Sequence, residues 1–225
     1  MILEKKKKYL QIALNSTLGE ASEIISNLPV SDRIILEAGT PLIKRYGTQA
    51  IRSIYELWKE QLSESKIIPY IVADLKTMDR AETEILISKE AGASGVICLG
   101  QAPLETINSF IDSCEKNGID SMLDMMNIEY PVKILRLLRK QPDVVILHRG
   151  VDEEKFNKNK PIPYVQINKV LSSFDVMLSI AGGDTIREVQ RAIFNGADIV
   201  LVWKEFYHSS KQTDSLAKEF LAEIK

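Results

Sequence analysis

Three charged residues lie within six positions of the stretch "IVADLKTMDRAE": Asp74, Lys76 and Asp79. Side chains alternate along a strand, so Asp74 and Lys76, two positions apart, can point the same way. Close pairing keeps Lys76 protonated, and a fixed cation can stabilise negative charge that develops on a substrate. Asp79 lies beyond the end of the apolar run. The alternative is a charged turn between a strand and a helix, with Asp79 as the N-cap.

Two more ionisable residues interrupt or end apolar runs. Glu37 lies inside "ILEAGTP", and a buried carboxylate is costly unless it is paired or bound to a metal. Glu37 and Asp74 could therefore bind Mg²⁺, which prefers oxygen ligands and keeps several waters. Alternatively, Glu37 forms a salt bridge with a nearby lysine. His148 ends "VVIL" and is a candidate acid or base, although a histidine there could also be a satisfied core residue.

A glycine pair, Gly182 and Gly183, separates an apolar run from a helix start in "SIAGGDT". Backbone N–H groups in such a turn can cradle an anion, and the last two loops of an α/β barrel commonly bind phosphate. The alternative is a tight turn without a ligand. Asp184 is the expected N-cap of the following helix, with Arg187 at the capping-box position.

The elements that must position these residues are eight apolar runs with helical patterns or helix-sized gaps between them. Continuous rather than alternating apolarity is typical of parallel strands covered on both faces. The pattern predicts one (β/α)₈ barrel domain over residues 1–225, whose chemistry lies at the carboxyl ends of the strands. A doubly wound open sheet is the alternative, but no GxGxxG motif favours it. The runs span 9–15, 33–39, 67–74, 94–100, 120–125, 143–148, 175–183 and 198–203.

Helix prediction is weakest after the sixth run. The segment "RGVDEEKFNKNKPIP" is polar and contains proline, which predicts a loop before a short helix near Tyr164–Ser172. The other ends of the runs also carry polar residues, among them Asn15, Asp124 and Lys204.

Composition excludes several classes of partner. The net charge of −2 and the pI near 5.8 argue against a polybasic nucleic-acid binder. No apolar run approaches the roughly 18 residues of a membrane span, and no signal peptide is recognised. The two cysteines lack metal-ligand spacing and are predicted to be free thiols in a reducing compartment. We therefore expect a cytoplasmic protein with a small-molecule substrate.

The segments "LQIAL", "LEAGTPLIK", "ADLKTMD", "LHRGVDEE" and "SIAGGD" fall in order along the chain. Together they resemble the 3-hexulose-6-phosphate synthases, in the orotidine 5′-monophosphate decarboxylase group, which also contains the sister 3-keto-L-gulonate-6-phosphate decarboxylases. The stretch "ADLKTMD" carries the D-x-K-x-x-D motif of that group. The resemblance covers nearly the whole chain.

The resemblance implies roles for four residues of the acidic segments. Glu37 and Asp74 would hold Mg²⁺, and Lys76 would stabilise an enediolate. Asp79 would reach into the site of a neighbouring subunit, which implies a homodimer. The implied reaction is the reversible aldol addition of ribulose 5-phosphate to formaldehyde, which gives 3-hexulose 6-phosphate.

The resemblance also implies roles at the later strand ends. His148 would move a proton, and Asp124 would line the site. The phosphate of the substrate would lie at Gly182, Gly183 and the loop after the eighth strand, where Lys204 could supply charge.

Two positions depart from the pattern of the resembled group. Asn15 stands where an aspartate is usual, which removes one charge from beside Lys76. Trp203 stands where glycine is usual, which alters the backbone approach to phosphate.

Val151 favours the synthase over the decarboxylase, which typically has arginine there. The alternatives are a decarboxylase-like enzyme with a different substrate and a catalytically inactive barrel that serves as a binding protein.

Overall fold

The computed structural model describes residues 1–157, 159–208 and 212–224. Eight parallel strands, each paired with its neighbours in the chain, close into a barrel when β8 pairs with β1. The predicted (β/α)₈ barrel is therefore confirmed, and the open-sheet alternative is wrong. The strands are β1 Tyr9–Leu14, β2 Ile34–Ala38, β3 Ile71–Thr77, β4 Gly95–Leu99, β5 Asp120–Asp124, β6 Val144–His148, β7 Met177–Ala181 and β8 Ile199–Val202.

Helices lie between consecutive strands and after the last one. None of the helices formed by the described residues is long and apolar enough to cross a membrane. The helices are α1 Leu18–Ser26, α2 Thr40–Tyr46, α3 Thr48–Gln61, α4 Ala81–Glu90, α5 Leu104–Asn117, α6 Pro131–Leu135, α7 Val151–Phe156, α8 Tyr164–Leu171, α9 Ile186–Phe194, α10 Lys204–His208 and α11 Thr213–Glu223.

Two apolar layers hold the barrel together. The larger one lies between the strands and the surrounding helices and contains the fully buried Trp58 and Phe110. The smaller one fills the barrel interior with inward-facing strand residues such as Val72, Met122 and Ile146. Because the lower part of the interior is packed with apolar side chains, a ligand can enter only at the open end, where the strands finish.

The segment predicted as a polar loop after β6 contains a helix, α7. The carboxylate of Glu153 accepts a hydrogen bond from the backbone N–H of Gly150 at 3.0 Å, which stabilises the first turn. None of the six residues of α7 is buried, so the helix has no apolar face by which its sequence could reveal it. The helix predicted near Tyr164–Ser172 is confirmed as α8.

The N-cap of α9 is Thr185 and not the predicted Asp184. The Thr185 hydroxyl accepts the N–H of Glu188 at 3.3 Å, and the Glu188 carboxylate accepts the N–H of Thr185 at 3.0 Å. This reciprocal pair is a capping box that begins one residue later than expected. The shift leaves the Asp184 carboxylate free to contact the end of β8.

Candidate active site

A cavity of about 450 Å³ lies at the carboxyl ends of the strands. It gathers most of the polar residues that the sequence predicts to do chemistry, and strands from every side of the barrel contribute to it. The predicted site residues in its wall are Asn15, Glu37, Asp74, Lys76, Asp124, His148 and Gly182.

Lys76 lies at the centre of one group of these residues, here named the Lys76 cluster: Glu37, Asp74, Lys76, Asp124 and His148. Lys76 Nζ is 3.1 Å from Asp74 Oδ2 and 3.0 Å from Asp124 Oδ2. The two carboxylates come from β3 and β5, so the lysine bridges two strand ends. This contact agrees with the predicted pairing of Asp74 and Lys76.

Strand alternation alone does not place Lys76. The pairing of β3 with β4 runs from Ala73 opposite Val96 to Thr77 opposite Cys98, so β3 holds two extra residues. Lys76 lies in this irregularity with φ of 49°, in the left-handed region. Residues other than glycine rarely adopt this backbone conformation, and such local strain occurs mostly at functional sites. The bulge therefore orients the Lys76 side chain toward Asp124 as well as toward Asp74, two residues earlier.

The charges of the Lys76 cluster reinforce one another. Burial lowers the pKa of Lys76, but Asp74, Asp124 and Glu37 together raise it above its ordinary value. Burial likewise raises the pKa of Asp124, but His148 and Lys76 outweigh it and lower that pKa to about 2. At neutral pH Lys76 is therefore a fixed cation and Asp124 a fixed anion.

His148 is oriented by the same carboxylate. Its Nδ1 lies 2.8 Å from Asp124 Oδ2, while Asp124 Oδ1 accepts the backbone N–H of Met126 at 2.9 Å. Because an ionised Asp124 can only accept, Nδ1 carries the hydrogen and Nε2 is left as the basic nitrogen. The arrangement equips His148 for proton transfer, and it disfavours the alternative of an inert core histidine.

Glu37 is almost completely buried at the end of β2. Burial, followed by the charge of Asp74, raises the pKa of Glu37 to about 8. The Gln11 side chain donates a hydrogen bond to its Oε2. Within the described residues no lysine or arginine forms a salt bridge with Glu37, so the salt-bridge alternative receives no support.

The donor chemistry of Glu37 and Asp74 fits a divalent cation. The Asp74 carboxylate, which accepts a hydrogen bond from the Thr40 hydroxyl at 2.8 Å, could supply a second oxygen ligand beside Glu37. Burial and the charge of Asp74 raise the pKa of Glu37, and Lys76 is shared between Asp74 and Asp124, so a further cation would stabilise the ionised pair. Across the ranges that the structure describes, no three His, Cys, Asp or Glu residues form a metal-binding group. Mg²⁺, however, keeps several waters and needs only one or two carboxylates.

A second group of charged residues lies at the ends of β6, β7 and β8. We name Arg149, Glu154, Asp184, Glu188 and Lys204 the Lys204 cluster. Arg149 Nη2 donates to the carbonyl of Gly182 at 2.5 Å and is 3.8 Å from Glu154 Oε1. Lys204 Nζ pairs with Glu154 Oε2 and lies 3.4 Å from Asp184 Oδ2. Glu154 therefore bridges the two cations.

Backbone N–H groups of the last two loops are also occupied by carboxylates. Asp184 Oδ1 accepts the N–H groups of Trp203 and Lys204 at 2.8 and 3.1 Å. Glu188 Oε2 accepts those of Asp184 and Thr185, both at 3.0 Å. Four backbone N–H groups of the loops predicted to bind an anion thus already have carboxylate partners within the chain.

Gly182 must be glycine. Its φ is +99°, and a Cβ there would lie 2.3 Å from the carbonyl oxygen of Arg149. Gly183 packs against the Glu188 side chain, since a Cβ would meet Glu188 Cβ at 2.9 Å. Neither Gly183 nor Lys204 lines the cavity, although each directly follows a residue that does, Gly182 and Trp203 respectively.

The first strand end is held by the last loop. The Tyr207 hydroxyl accepts the backbone N–H of Asn15 at 2.7 Å, and Tyr207 packs edge-on against Trp203 with ring centroids 6.1 Å apart. Asn15 contacts Gly39 so closely that a Cβ at position 39 would lie 1.9 Å from Asn15 Oδ1. Trp203, in place of the expected glycine, lines the cavity.

Asp79 stands apart from the cavity of its own chain. It is exposed between β3 and α4, beside Arg80 and Glu82. The N-cap of α4 is Arg80, so the alternative of Asp79 as an N-cap is wrong. The role of Asp79 in a partner's site stays a prediction.

Several functional contacts were missed from the sequence. Gln11 could have been found as a polar residue inside the apolar "YLQIAL", on a strand next to that of Glu37. Thr40, three residues after Glu37, gave no comparable signal. Glu154 and Glu188 look like ordinary solvated acids on short helices, and only the fold brings them to the strand ends.

Comparison with known proteins identifies the family of the chain. The sequence model described as the orotidine 5'-phosphate decarboxylase / HUMPS family matches residues 8–218. The chain is 37% identical over 221 residues to a bifunctional enzyme Fae/Hps of Methanocella arvoryzae, covering 96% of this chain and 53% of that protein. It is 41% identical over 186 residues to the Fae/Hps of Methanocaldococcus jannaschii, covering 82% and 44%. The chain thus spans about half the length of the curated relatives it matches.

Among solved structures, the 3-hexulose-6-phosphate synthase of Salmonella typhimurium superposes with a TM-score of 0.82 and 28% identity. The superposition covers 96% of this chain and 98% of that one. The matches extend from β1 into α11 and include both charged clusters. The chain belongs to the orotidine 5'-phosphate decarboxylase / HUMPS family.

Proposed function

We propose that the chain catalyses the aldol addition of ribulose 5-phosphate to formaldehyde, giving 3-hexulose 6-phosphate, and the reverse cleavage. The observation that carries the proposal is the Lys76 cluster, in which one buried carboxylate, Asp124, holds a cation at 3.0 Å and an imidazole at 2.8 Å. The likeness to proteins named Fae/Hps and 3-hexulose-6-phosphate synthase supports the choice of substrates.

The first step is removal of a proton from C1 of the ketose. The C–H electron pair moves toward the C2 carbonyl, which gives an enediolate. His148 is the proposed base, because its Nδ1 hydrogen is held by Asp124 and its Nε2 can accept the proton.

Lys76 stabilises the enediolate. The raised pKa keeps the ammonium charged, and the two carboxylates and the bulge fix its position before the substrate arrives. A preorganised charge in a site of low dielectric constant costs no reorganisation during the reaction, which makes it effective.

Glu37 and Asp74 would hold Mg²⁺, which when bound would act as a Lewis acid on the carbonyl and hydroxyl oxygens of the ketose. The raised pKa of Glu37 means that the carboxylate must lose its proton to serve as a ligand. Gln11 and Thr40 keep the two carboxylates in place, through Glu37 Oε2 and Asp74 Oδ2 respectively.

The second step forms the carbon–carbon bond. C1 of the enediolate attacks the carbon of formaldehyde, and the formaldehyde oxygen takes up a proton as the C2 carbonyl re-forms. Protonated His148 can return the proton that it removed, so the addition needs no other reactant. The reverse reaction follows the same steps and releases formaldehyde.

The remaining contacts concern the far end of the substrate and the partner subunit. Gly182, Gly183 and Lys204 would bind the phosphate at the ends of β7 and β8. The chain would act as a homodimer in which Asp79, exposed and apart from the cavity of its own chain, completes the neighbouring site.

The test is formaldehyde consumption by the pure chain with ribulose 5-phosphate, with and without EDTA. We expect turnover that EDTA abolishes and added Mg²⁺ restores. Absence of turnover in the presence of Mg²⁺ would contradict the synthase and favour the alternatives, a decarboxylase-like enzyme or an inactive barrel. Turnover that EDTA leaves unchanged would remove the metal from the proposal but keep the reaction.

A further inference from the structure

Lys204, which is proposed to bind phosphate, and the nearby Arg149 both pair with carboxylates of the chain. Lys204 Nζ pairs with Glu154 Oε2, and Arg149 Nη2 lies 3.8 Å from Glu154 Oε1. Arg149 Nε is buried and has no hydrogen-bond acceptor among the described residues. Arg149 and Lys204 together therefore have more hydrogen-bond donors than the Glu154 carboxylate that they share can accept.

The three carboxylates of the Lys204 cluster are not held equally. Asp184 accepts two backbone N–H groups from the end of β8, and Glu188 belongs to the capping box of α9. The contacts that the Glu154 carboxylate makes with described residues are to the side chains of Arg149 and Lys204. Its side chain is 35% exposed, against 10% for Asp184.

The helix that carries Glu154 can also move at low cost. None of the residues of α7 is buried, so a small displacement exposes little apolar surface. Displacement of Asp184 or Glu188 would instead leave backbone N–H groups without acceptors, which is costly. Glu154 is thus the carboxylate that an incoming anion would replace.

We propose that Glu154 is an internal counter-ion that competes with the phosphate of the substrate for Lys204 and Arg149, and thereby sets the affinity of the chain for a phosphate monoester. This inference rests on the proposed function, since it places the phosphate at the ends of β7 and β8. Glu154 acts on the affinity for the ligand and does not touch the reacting carbon atoms.

The experiment measures the Kd of inorganic phosphate by calorimetry for the wild-type chain, E154Q and D152N at one ionic strength. Asp152 is an exposed acid on the same helix, and it forms no ion pair with a described residue. We expect E154Q to lower the Kd about tenfold, because it removes a competing charge, and D152N to change it less than about twofold. E154A is a second variant with the same expected direction.

A Kd that is unchanged or higher in both E154Q and E154A would overturn the inference, as would an equal gain in D152N. If the carboxylate acts through Lys204, E154Q should give no gain in phosphate affinity when it is added to K204A, so that E154Q/K204A and K204A have the same Kd. A gain that persists in this comparison would contradict that route. Turnover separates the two proposals. A tighter Kd in E154Q without any formaldehyde chemistry would leave Glu154 in its role and reject the synthase, whereas turnover with unaltered KM and Kd in E154Q would reject only the role of Glu154.

Discussion

The Lys76 cluster and the Lys204 cluster both hold three carboxylates, yet they use them in opposite ways. In the first, Asp124 is 1% exposed and fixes Lys76 and His148 toward the cavity. In the second, Glu154 pairs with Lys204, and Asp184 accepts the backbone N–H groups that could otherwise bind a ligand. The Lys76 cluster is preorganised for a reaction, whereas the Lys204 cluster must exchange a contact before it can bind an anion.

The largest effect should come from K76A, which removes the cation of the preorganised cluster. We expect kcat/KM to fall about 10³-fold or more, because Asp74 and Asp124 would then face the developing negative charge without compensation. K116A is the matched control, because Lys116 is 77% exposed on α5 and far from the cavity. Steady-state kinetics with an unchanged circular dichroism spectrum would check the result, and retained activity would exclude Lys76 from the reaction.

His148 should have the next largest effect. H148Q keeps a side-chain amide near Asp124 but removes the basic nitrogen, so we expect kcat to fall about 10²- to 10³-fold with little change in KM. Exchange of the C1 proton of ribulose 5-phosphate with deuterated water, followed by NMR, should fall in parallel. Exchange at the wild-type rate would show that another group removes the proton.

The Lys204 cluster should respond differently. K204A is expected to raise KM about tenfold while kcat stays within about twofold, because its contact is made equally in the ground state and the transition state. K218A, which removes an exposed lysine paired with Asp214, is the control. A fall in kcat without a change in KM would contradict the division of the cavity into a reacting part and a binding part.

The smallest effect concerns stability and pH in EDTA-treated protein. The pKa of Glu37 is about 8 in the folded chain, above its ordinary value of 4.5, so the folded state binds this proton more tightly than the unfolded state. Its contribution to the free energy of unfolding is complete below about pH 4.5 and is lost as the pH rises through about 8. We expect the Tm of the wild type to fall a few degrees more than that of E37Q between pH 6 and 9. Equal slopes in differential scanning calorimetry would contradict the raised pKa.

The sequence predicted the barrel because parallel strands covered on both faces leave a strong apolar signal at all eight positions. It also predicted the members of the Lys76 cluster, since an acid or a histidine at the end of an apolar strand stands out. Strand alternation accounts for the position of Lys76 only in part, because a bulge, which depends on the pairing of β3 with β4, orients the side chain.

The Lys204 cluster was predicted only in part, for a physical reason. Lys204 and the glycine pair stand at strand ends, but Glu154 lies on a helix without a buried face, where charged residues are common. The residue type and position of Asp184 suit an N-cap and predict that role. Its carboxylate accepts the N–H groups of Trp203 and Lys204, which lie 19 and 20 residues later in the chain. No local sequence pattern encodes a contact over that distance.

The close approach of Gly39 to Asn15 couples mutations at these two positions. Aspartate has nearly the shape of asparagine, so a single step can exchange the amide at position 15 for a carboxylate without moving the backbone. A side chain at position 39 would instead meet Asn15 Oδ1 at 1.9 Å, so it fits only if the Asn15 side chain turns away or becomes smaller. A change of residue 39 therefore alters the polar wall of the cavity through Asn15, although residue 39 does not itself line the cavity.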